Sequence, residues 1–440
     1  MKEAPWQGLI WVRMTILDIA PSATPTTASL GGVVTDKIRV TFANKTGTTN
    51  ATIYEMTCTT AYPIAGDRTQ LLNAYKELEA TATQGAAHEE LKNLKLNEMK
   101  KLLMDTSVTE DELAESITTM NAQANSLQYG FPVTASYGDF ASYNLALSDD
   151  IGVNFYATFK DTAFTNFDDS AVVMELENGT VIKTPLTDLK KSGDRYVLNL
   201  KLPAMYMTDT IKIRVIFDYN NCGKEYKTSV VEYAKTILAD SSYEANYPGI
   251  NELVKSMLNY GAYAQLYFGY KTEKAEDLAN HGIYTDSNNP VLNGDFSGAS
   301  VEKPIKTGVD ERIDPAGWTL SIDSDITVKF YFATHDITKY NFSVVKPSGE
   351  VVYTDPVLHQ DGNIYRVEIG VEDAALIDDE YELVITNVQD GKTINVRFSA
   401  MMYVNTILSG YGQPTESLSN IVKSIKLYSD AANAYRNNGN

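Results

Sequence analysis

Catalysis or metal binding would start from histidine, and the chain holds four: His88, His281, His335 and His359. None belongs to an HExxH pair, and neither a GxSxG nucleophile turn nor a phosphate-cradling glycine loop occurs. His88 stands beside Glu89 and Glu90 on a charged helical stretch and reads as a solvated position. His335 and His359 fall in the second copy of an internal repeat, and the first copy has no histidine at the matching positions. A catalytic site needs groups that converge, so no catalytic residue is assigned. Acidic clusters recur at Asp149-Asp150, Asp168-Asp169, Asp323 with Asp325, and Asp378-Asp379. Calcium is the one cofactor such loops could take, through several oxygens. None follows the spaced Asp-x-Asp-x-Asp-Gly pattern, so solvated turn carboxylates are the default and no metal or cofactor ligand is assigned. Paired carboxylates for glycoside cleavage would have to face each other across strands, and acids that differ between the copies argue against such a pair. Cys58 and Cys222 match no metal spacing. A disulfide between them is open, with two separate thiols as the default. Tyr260, Tyr263, Tyr267 and Tyr270 step by three or four along one helical stretch. That stripe could stack on sugars, but it is also the ordinary buried face of a helix.

The elements that would position these residues come in two sets. Residues 145–156 match residues 320–331 at six of twelve positions: Leu145, Asp150, Ile151, Val153, Phe155 and Tyr156. Further matches join Gly179 to Gly349, Tyr196 to Tyr365, and Gly223-Lys224 to Gly391-Lys392. The stretch 232–238 matches 402–408, and 254–257 matches 422–425; Tyr260, Ala264 and Tyr267 return as Tyr428, Ala432 and Tyr435. The offset stays between 168 and 175 over some 120 residues, which sets duplication apart from a chance likeness of strands.

Each copy opens in strands. Ile151, Val153, Phe155 and Ala157 alternate, as do Tyr196, Leu198 and Leu200, and Ile211, Ile213 and Val215. Gly179, Gly193 and Gly223 mark turns between the runs. The period then becomes helical. Val230, Tyr233, Ala234, Ile237 and Leu238 form one stripe; Leu253, Val254, Met257, Leu258, Gly261 and Ala264 form another; Tyr247-Pro248-Gly249 breaks the chain between them. The expected fold class is therefore α+β, with two tandem homologous mostly-β sandwich modules, each ending in a helical hairpin that packs on its own sandwich. The modules are expected at residues 131–280 and 281–440. The connection from Lys271 to about Gly317 is polar and turn-rich, and Gly294-Asp295-Phe296 echoes Gly138-Asp139-Phe140, so part of it is expected to open the second module.

Residues 1–130 form a separate β/helical N-terminal region. Residues 37–42 repeat residues 212–217 at five of six positions, and residues 117–130 faintly echo 254–269, so a degenerate third copy is one reading. A helical bundle or insertion is expected from 69 to 128. Leu71, Leu72, Tyr75 and Leu78 form one stripe, and Leu91, Leu94, Met99, Leu102 and Leu103 a second. Thr109 with Glu112 makes a capping box before Leu113 and Ile117.

The phrases at residues 149–156 (DDIGVNFY) and 255–268 (KSMLNYGAYAQLYF) resemble a module of large multidomain surface or secreted proteins of gut Firmicutes. The resemblance covers residues 130–280 well and 318–440 moderately, and leaves the N-terminal region out. It implies bacterial surface biology and a binding or spacer role; no catalytic residue comes with it.

Composition narrows the partners. The apolar fraction is 43% and the charged fraction 21%, a globular balance. A net charge of −20 repels phosphate backbones, so nucleic acid is excluded as a partner. No stretch reaches the roughly 18 apolar residues of a membrane span. The apolar run at residues 8–12 is broken by Arg13, and Glu3 stands where a signal peptide would be basic, so no leader is read there. A secreted origin would make this chain a natural or engineered piece of a longer protein, or a reading frame begun at the wrong start. The expectation is a non-catalytic adhesion or binding module, extracellular or at the cell surface, with a host or cell-surface protein or a glycan as partner. The alternatives are structural spacer domains, or a glycan-binding accessory region of a secreted glycoside hydrolase.

Overall fold

A computed structural model describes residues 68–118 and 134–439, apart from residues 84, 106, 110, 135, 147–150, 168, 219, 309–312, 323–325, 335, 355 and 372. The likeness of residues 37–42 to a later strand, the echo at 119–130, Cys58, His335, and the aspartates 149, 150, 168, 323 and 325 lie outside the described residues. The chain divides into two compact units, residues 1–132 with 218–220, and residues 133–217 with 221–440.

In the first unit the described elements are helical: α1 (Thr69–Glu79), α2 (Ala86–Met104) and a further helical stretch at residues 111–118. α1 and α2 pack on each other through Leu71, Leu78, Leu91 and Met99, all fully buried. Thr109 and Glu112 exchange the expected reciprocal cap, the Thr109 N–H donating to Glu112 Oε2 at 2.9 Å and the Glu112 N–H to Thr109 Oγ1 at 3.4 Å. One expectation is overturned here. His88 is only 6% exposed, not solvated. It shares a helical face with Leu91, Lys95 and Met99, so helical spacing, rather than the acidic neighbours in sequence, decides its burial.

The second unit is α+β, with antiparallel sheets. One sheet has the order β1-β2-β6-β5: β1 (Gly138–Ala146), β2 (Gly152–Phe159), β5 (Lys190–Ser192) and β6 (Arg195–Lys201). Its companion runs β4-β3-β7-β8: β3 (Ala171–Leu176), β4 (Val181–Pro185), β7 (Ile211–Asp218) and β8 (Asn221–Cys222), with β9 (Tyr226–Thr228) also on β7. Val153, Phe155 and Ala157 alternate inward from β2, and Val172, Met174, Ile213 and Val215 answer from β3 and β7. Phe159 and Phe217 meet edge to face across the gap at 6.0 Å.

Further along, a sheet of order β11-β12-β16-β15 holds β11 (Ile313–Ser321), β12 (Ile326–Thr334), β15 (Leu358–Asp361) and β16 (Ile364–Val371). A sheet of order β10-β18-β17-β13-β14 holds β10 (Ile305–Thr307), β13 (Tyr340–Val345), β14 (Val351–Thr354), β17 (Tyr381–Asn387) and β18 (Thr393–Phe398). Phe330 against Phe398 at 4.0 Å and Phe332 against Phe342 at 5.2 Å join these two.

Helices follow each set of strands. α3 (Val230–Ala239) is capped by Ser229, whose side chain accepts from the Glu232 N–H. A short helix, Ser241–Asn246, comes before the expected break, which the periodicity did not reveal. Gly249, at φ +92°, then turns the chain into α4 (Ile250–Phe268). α5 (Ala400–Leu408) is capped by Ser399, and α6 (Glu416–Asn437) by Thr415. α3 reaches β1 through Tyr233 and Tyr143, 5.5 Å apart. α4 lies against the turn at Ala204–Tyr206, and a Cβ at Gly261 would run into Met207 Sδ. α4 and α6 also pack on each other, Tyr260 stacking on Tyr428.

The connection from α4 to β10 is folded onto its neighbours. Gln265 is fully buried; its Nε2 donates to Asp277 O at 3.0 Å, and its Oε1 accepts from the Ala279 N–H at 2.8 Å. Asn259 and Asn289 bond reciprocally at 3.1 and 3.3 Å, and Asn280 donates to Asn259 at 2.8 Å. Gly294-Asp295-Phe296 lies outside any strand, whereas Gly138-Asp139-Phe140 begins β1. The short sequence echo therefore does not carry a shared structure.

Candidate functional site

Among the described residues, those singled out for chemistry in the sequence do not converge. His281 is exposed, with its N–H bonded to Leu278 O. His359 is exposed on β15, 4.0 Å from Glu368. Asp378 accepts from Asn433 Nδ2 at 3.3 Å, and Asp379 lies 3.9 Å from Lys346 Nζ. Among the described residues no three His, Cys, Asp or Glu side chains come together so as to hold a metal ion. Cys222 is buried on β8. The tyrosine stripe is divided: Tyr260 and Tyr263 are buried, Tyr267 is 37% exposed, and Tyr270 donates to both oxygens of Asp209 at 2.8 and 2.9 Å. Packing accounts for Tyr260 and Tyr263, and no continuous platform remains.

Tyr270 leads to the one fully buried carboxylate among the buried residues described, Asp209. Lys271, in the left-handed region at φ +51°, pairs with Asp209 at 2.9 Å and with Glu177 at 3.0 Å. Burial pushes the Lys271 ammonium down, but its hydrogen bonds to Asp209 and Glu177 outweigh that and hold it above its ordinary value. Burial, then the bond to Asp209, pushes the Tyr270 phenol well up. Beside this cluster is an open hollow of about 450 Å³, lined by Glu177, Thr208, Ser229, Lys235, Lys271 and Asp277 among others. Its charges are mixed, and its Ser229 hydroxyl is used as the α3 cap. The cluster fastens the chain leaving α4 onto the turn at Thr208-Asp209.

A different set of side chains is brought together on the outward face of β1, β2 and β6. Asn144, Asn154 and Asn199 stand side by side in register on the three strands. Asn199 Nδ2 donates to Asn154 Oδ1 at 2.7 Å, and Asn154 Nδ2 donates to Asn144 Oδ1 at 3.2 Å. Tyr156 Oη, one row along, also donates to Asn144 Oδ1, at 3.5 Å. Arg195 Nη1 reaches Ser142 Oγ at 3.4 Å across the sheet, both residues exposed. Each amide both donates and accepts, so this surface is a hydrogen-bonding row. The sequence alone did not single it out. Its signal was only asparagine at outward strand positions, and β6 lies far along the chain from β1 and β2.

On the β11-β12-β16-β15 sheet, Thr319, Lys329 and Glu368 stand side by side in register. There Glu368 is shared by Lys329 at 3.8 Å, Arg366 at 2.7 Å and His359 at 4.0 Å. That face is a network of mutually paired charges.

Fold and surface together define an α+β protein of antiparallel sheets and packed helices. No family model matches the chain. No curated protein matches it either. Among solved structures it is similar to a chimeric titin Z1Z2-Z1Z2 tandem functionalized with a GRGDS exogenous peptide from fibronectin, at 9% identity, over 59% of this chain and 96% of that one, with a TM-score of 0.15. A score that low carries no argument about either fold or function. No helix among the described residues is long and apolar enough to cross a membrane.

Proposed function

We propose that this chain is a non-catalytic adhesion or binding region of a bacterial cell-surface or secreted protein, built from two tandem copies of one β-sandwich and helical-hairpin module at residues 131–280 and 281–440. The observation that carries the reading is a scaffold kept register for register while its outward rows diverge. Gly138 pairs with Phe159 and Leu145 with Val153; Ile313 pairs with Thr334 and Leu320 with Val328, each at an offset of 175. The bulge between Phe140 and Ser142 returns at the same offset between Pro315 and Gly317. β3 and β7 pair as β13 and β17 do, and β7 and β9 as β17 and β18 do, at an offset of 170. The outward rows do not follow: asparagines in one module stand where Thr319, Lys329 and Glu368 stand in the other. A scaffold that repeats while its exposed side chains drift suits recognition, where each face takes its own ligand. It suits catalysis poorly, because among the described residues no shared constellation of acid, base and nucleophile runs through both copies.

The resemblance to a module of gut Firmicutes surface proteins, together with the net charge of −20, supports an extracellular or cell-surface setting. The spacer reading has one observation of its own: the contact of Tyr260 with Tyr428 joins the two helical hairpins and would hold the modules at a fixed angle. An array of glycans and extracellular proteins probed with the whole chain separates the two readings, since a spacer binds nothing. Hydrolysis assays on polysaccharides and peptides should show no turnover. Turnover abolished by a single point substitution would overturn the non-catalytic reading.

A further inference from the structure

We infer that the outward face of the β1-β2-β6-β5 sheet is a carbohydrate-binding surface whose ligand is a polysaccharide chain bearing carboxylates. The inference rests on the binding-module reading and gives it a site and a ligand class.

Three observations lead there. The first is the amide row. Asn199 donates to Asn154, and Asn154 to Asn144, which leaves Asn144 Nδ2 as a donor at one end and Asn199 Oδ1 as an acceptor at the other. Sugar hydroxyls both give and take hydrogen bonds, and a row that offers both kinds of group matches them. At about 4.8 Å between strands, the row crosses roughly 10 Å of sheet. It is held in place by its own bonds, so little side-chain freedom is lost on binding. Tyr156, half-buried in the next row, adds a ring with a polar tip, and Val197 beside it adds apolar surface.

The second observation is charge. The chain carries −20, yet this face displays Arg195 and Lys190, both exposed. Lys190 lies directly across from Val197. Among the described outward positions of these strands the carboxylate is Asp139, and it is turned to the sheet edge. Its Oδ1 accepts from the Phe140 N–H at 2.8 Å, and its Oδ2 from the Lys224 N–H at 2.9 Å. An exposed guanidinium that no acid faces among the described residues of its own sheet is suited to a carboxylate on the ligand.

The third is the internal comparison. In the other module the same rows carry Lys329, Arg366, His359 and Glu368, and the glutamate takes up the neighbouring cations. Among its described residues that face has no comparable open cation and no amide row, and it serves as the control.

The test uses the whole chain, titrated calorimetrically and by affinity electrophoresis against polygalacturonate, alginate and hyaluronate, with pullulan as a neutral glucan. At least one acidic polymer should bind, more weakly as salt is raised. Arg195→Ala and Asn199→Ala alter exposed side chains, so native folding is expected, and circular dichroism checks it. Each should weaken binding by roughly tenfold or more, the loss expected for a hydrogen bond to a charged or well-fixed partner. Glu368→Gln on the control face should leave binding unchanged. Binding to pullulan as tight as to the acidic polymers would overturn the carboxylate assignment. Acidic-polymer binding that survives both Arg195→Ala and Asn199→Ala would overturn the site while leaving the binding-module reading intact. If none of the three acidic polymers binds but a protein or another glycan on the array does, the ligand class is overturned and that reading again stands. If nothing on the array binds, the reading itself falls as well.

Discussion

Tyr260 and Tyr428 give the sharpest test of how the second unit holds together. Each is 5% exposed, their ring centroids are 6.0 Å apart, and their planes are 23° from parallel. They lie on α4 and α6, so removing the contact should loosen one helix from the other without opening either sheet pair. Leucine keeps part of the apolar volume, and each single change, Tyr260→Leu or Tyr428→Leu, should cost about 1–3 kcal/mol, the usual range for a disturbed core. The rings should also share energy with each other. Stacked aromatic pairs contribute about 0.5–1.5 kcal/mol beyond their burial, so the double variant should be less destabilised than the sum of the singles by that amount. Urea unfolding followed by near-ultraviolet circular dichroism and by tryptophan fluorescence would give the cycle. The two probes should report one coincident transition in the native chain and separate in the double variant. Single effects that simply add, within about 0.3 kcal/mol, would mean that the rings are neighbours without being partners, and the joint between α4 and α6 would have to be sought elsewhere.

Met257, fully buried on α4, should cost about 2–5 kcal/mol when cut back to alanine, read from the denaturant midpoint. Deleting residues 249–270 should leave an aggregating chain that binds ANS; a monomer with an unchanged melting temperature would show that α4 is not a cover for the sheets. Ser229→Ala and Ser399→Ala each remove a helix cap, the hydroxyls accepting at 3.0 and 3.2 Å, and each should cost about 0.5–2 kcal/mol. Equal melting temperatures for variants and native chain would contradict those caps. Burial holds the Asp378 carboxyl above its ordinary value, against the pull of Lys426 and with Asp430, Asp379 and Glu302 adding to it. An acid raised in the folded state favours folding while it is protonated, and that contribution is lost as pH rises through its folded value. Asp378→Asn should therefore raise the melting temperature at pH 7 and gain nothing at pH 3; an equal gain at both would refute the burial argument.

Much of the second unit was legible because its signals are local. Alternation at Val153, Phe155 and Ala157 follows from one buried sheet face, and the stripe Leu253, Val254, Met257, Leu258 from one buried helix face. Both appear as read. The partner of a buried face is another matter. Periodicity marks Tyr260 and Tyr428 as inward, but nothing local says that they meet each other. The strand β10 leaves no alternation in the sequence, because all three of its residues are exposed. The burial of His88 follows its helical neighbours Leu91, Lys95 and Met99, and the acidic residues beside it in the chain mask that signal. The asparagine row was invisible for the opposite reason to the core: polar side chains on a wet face obey no period, and these three come together only through strand pairing.

The connection between α4 and β10 has a mechanical meaning. It is folded back and tied down: Gln265, Asn259 and Asn289 hold its first part, while Thr406 accepts from the Glu302 N–H at 2.9 Å and Asn405 donates to Glu302 Oε1 at 2.7 Å near its end. Drawn out straight, residues 269–304 would reach about 120–130 Å at ~3.3–3.6 Å per residue. A pull that separates the two sheet pairs must first part the stacked tyrosines and strip these side-chain ties. It then meets a slack tether rather than a strand. Load would be absorbed as hidden length, and the sheets would feel it only after that length was spent.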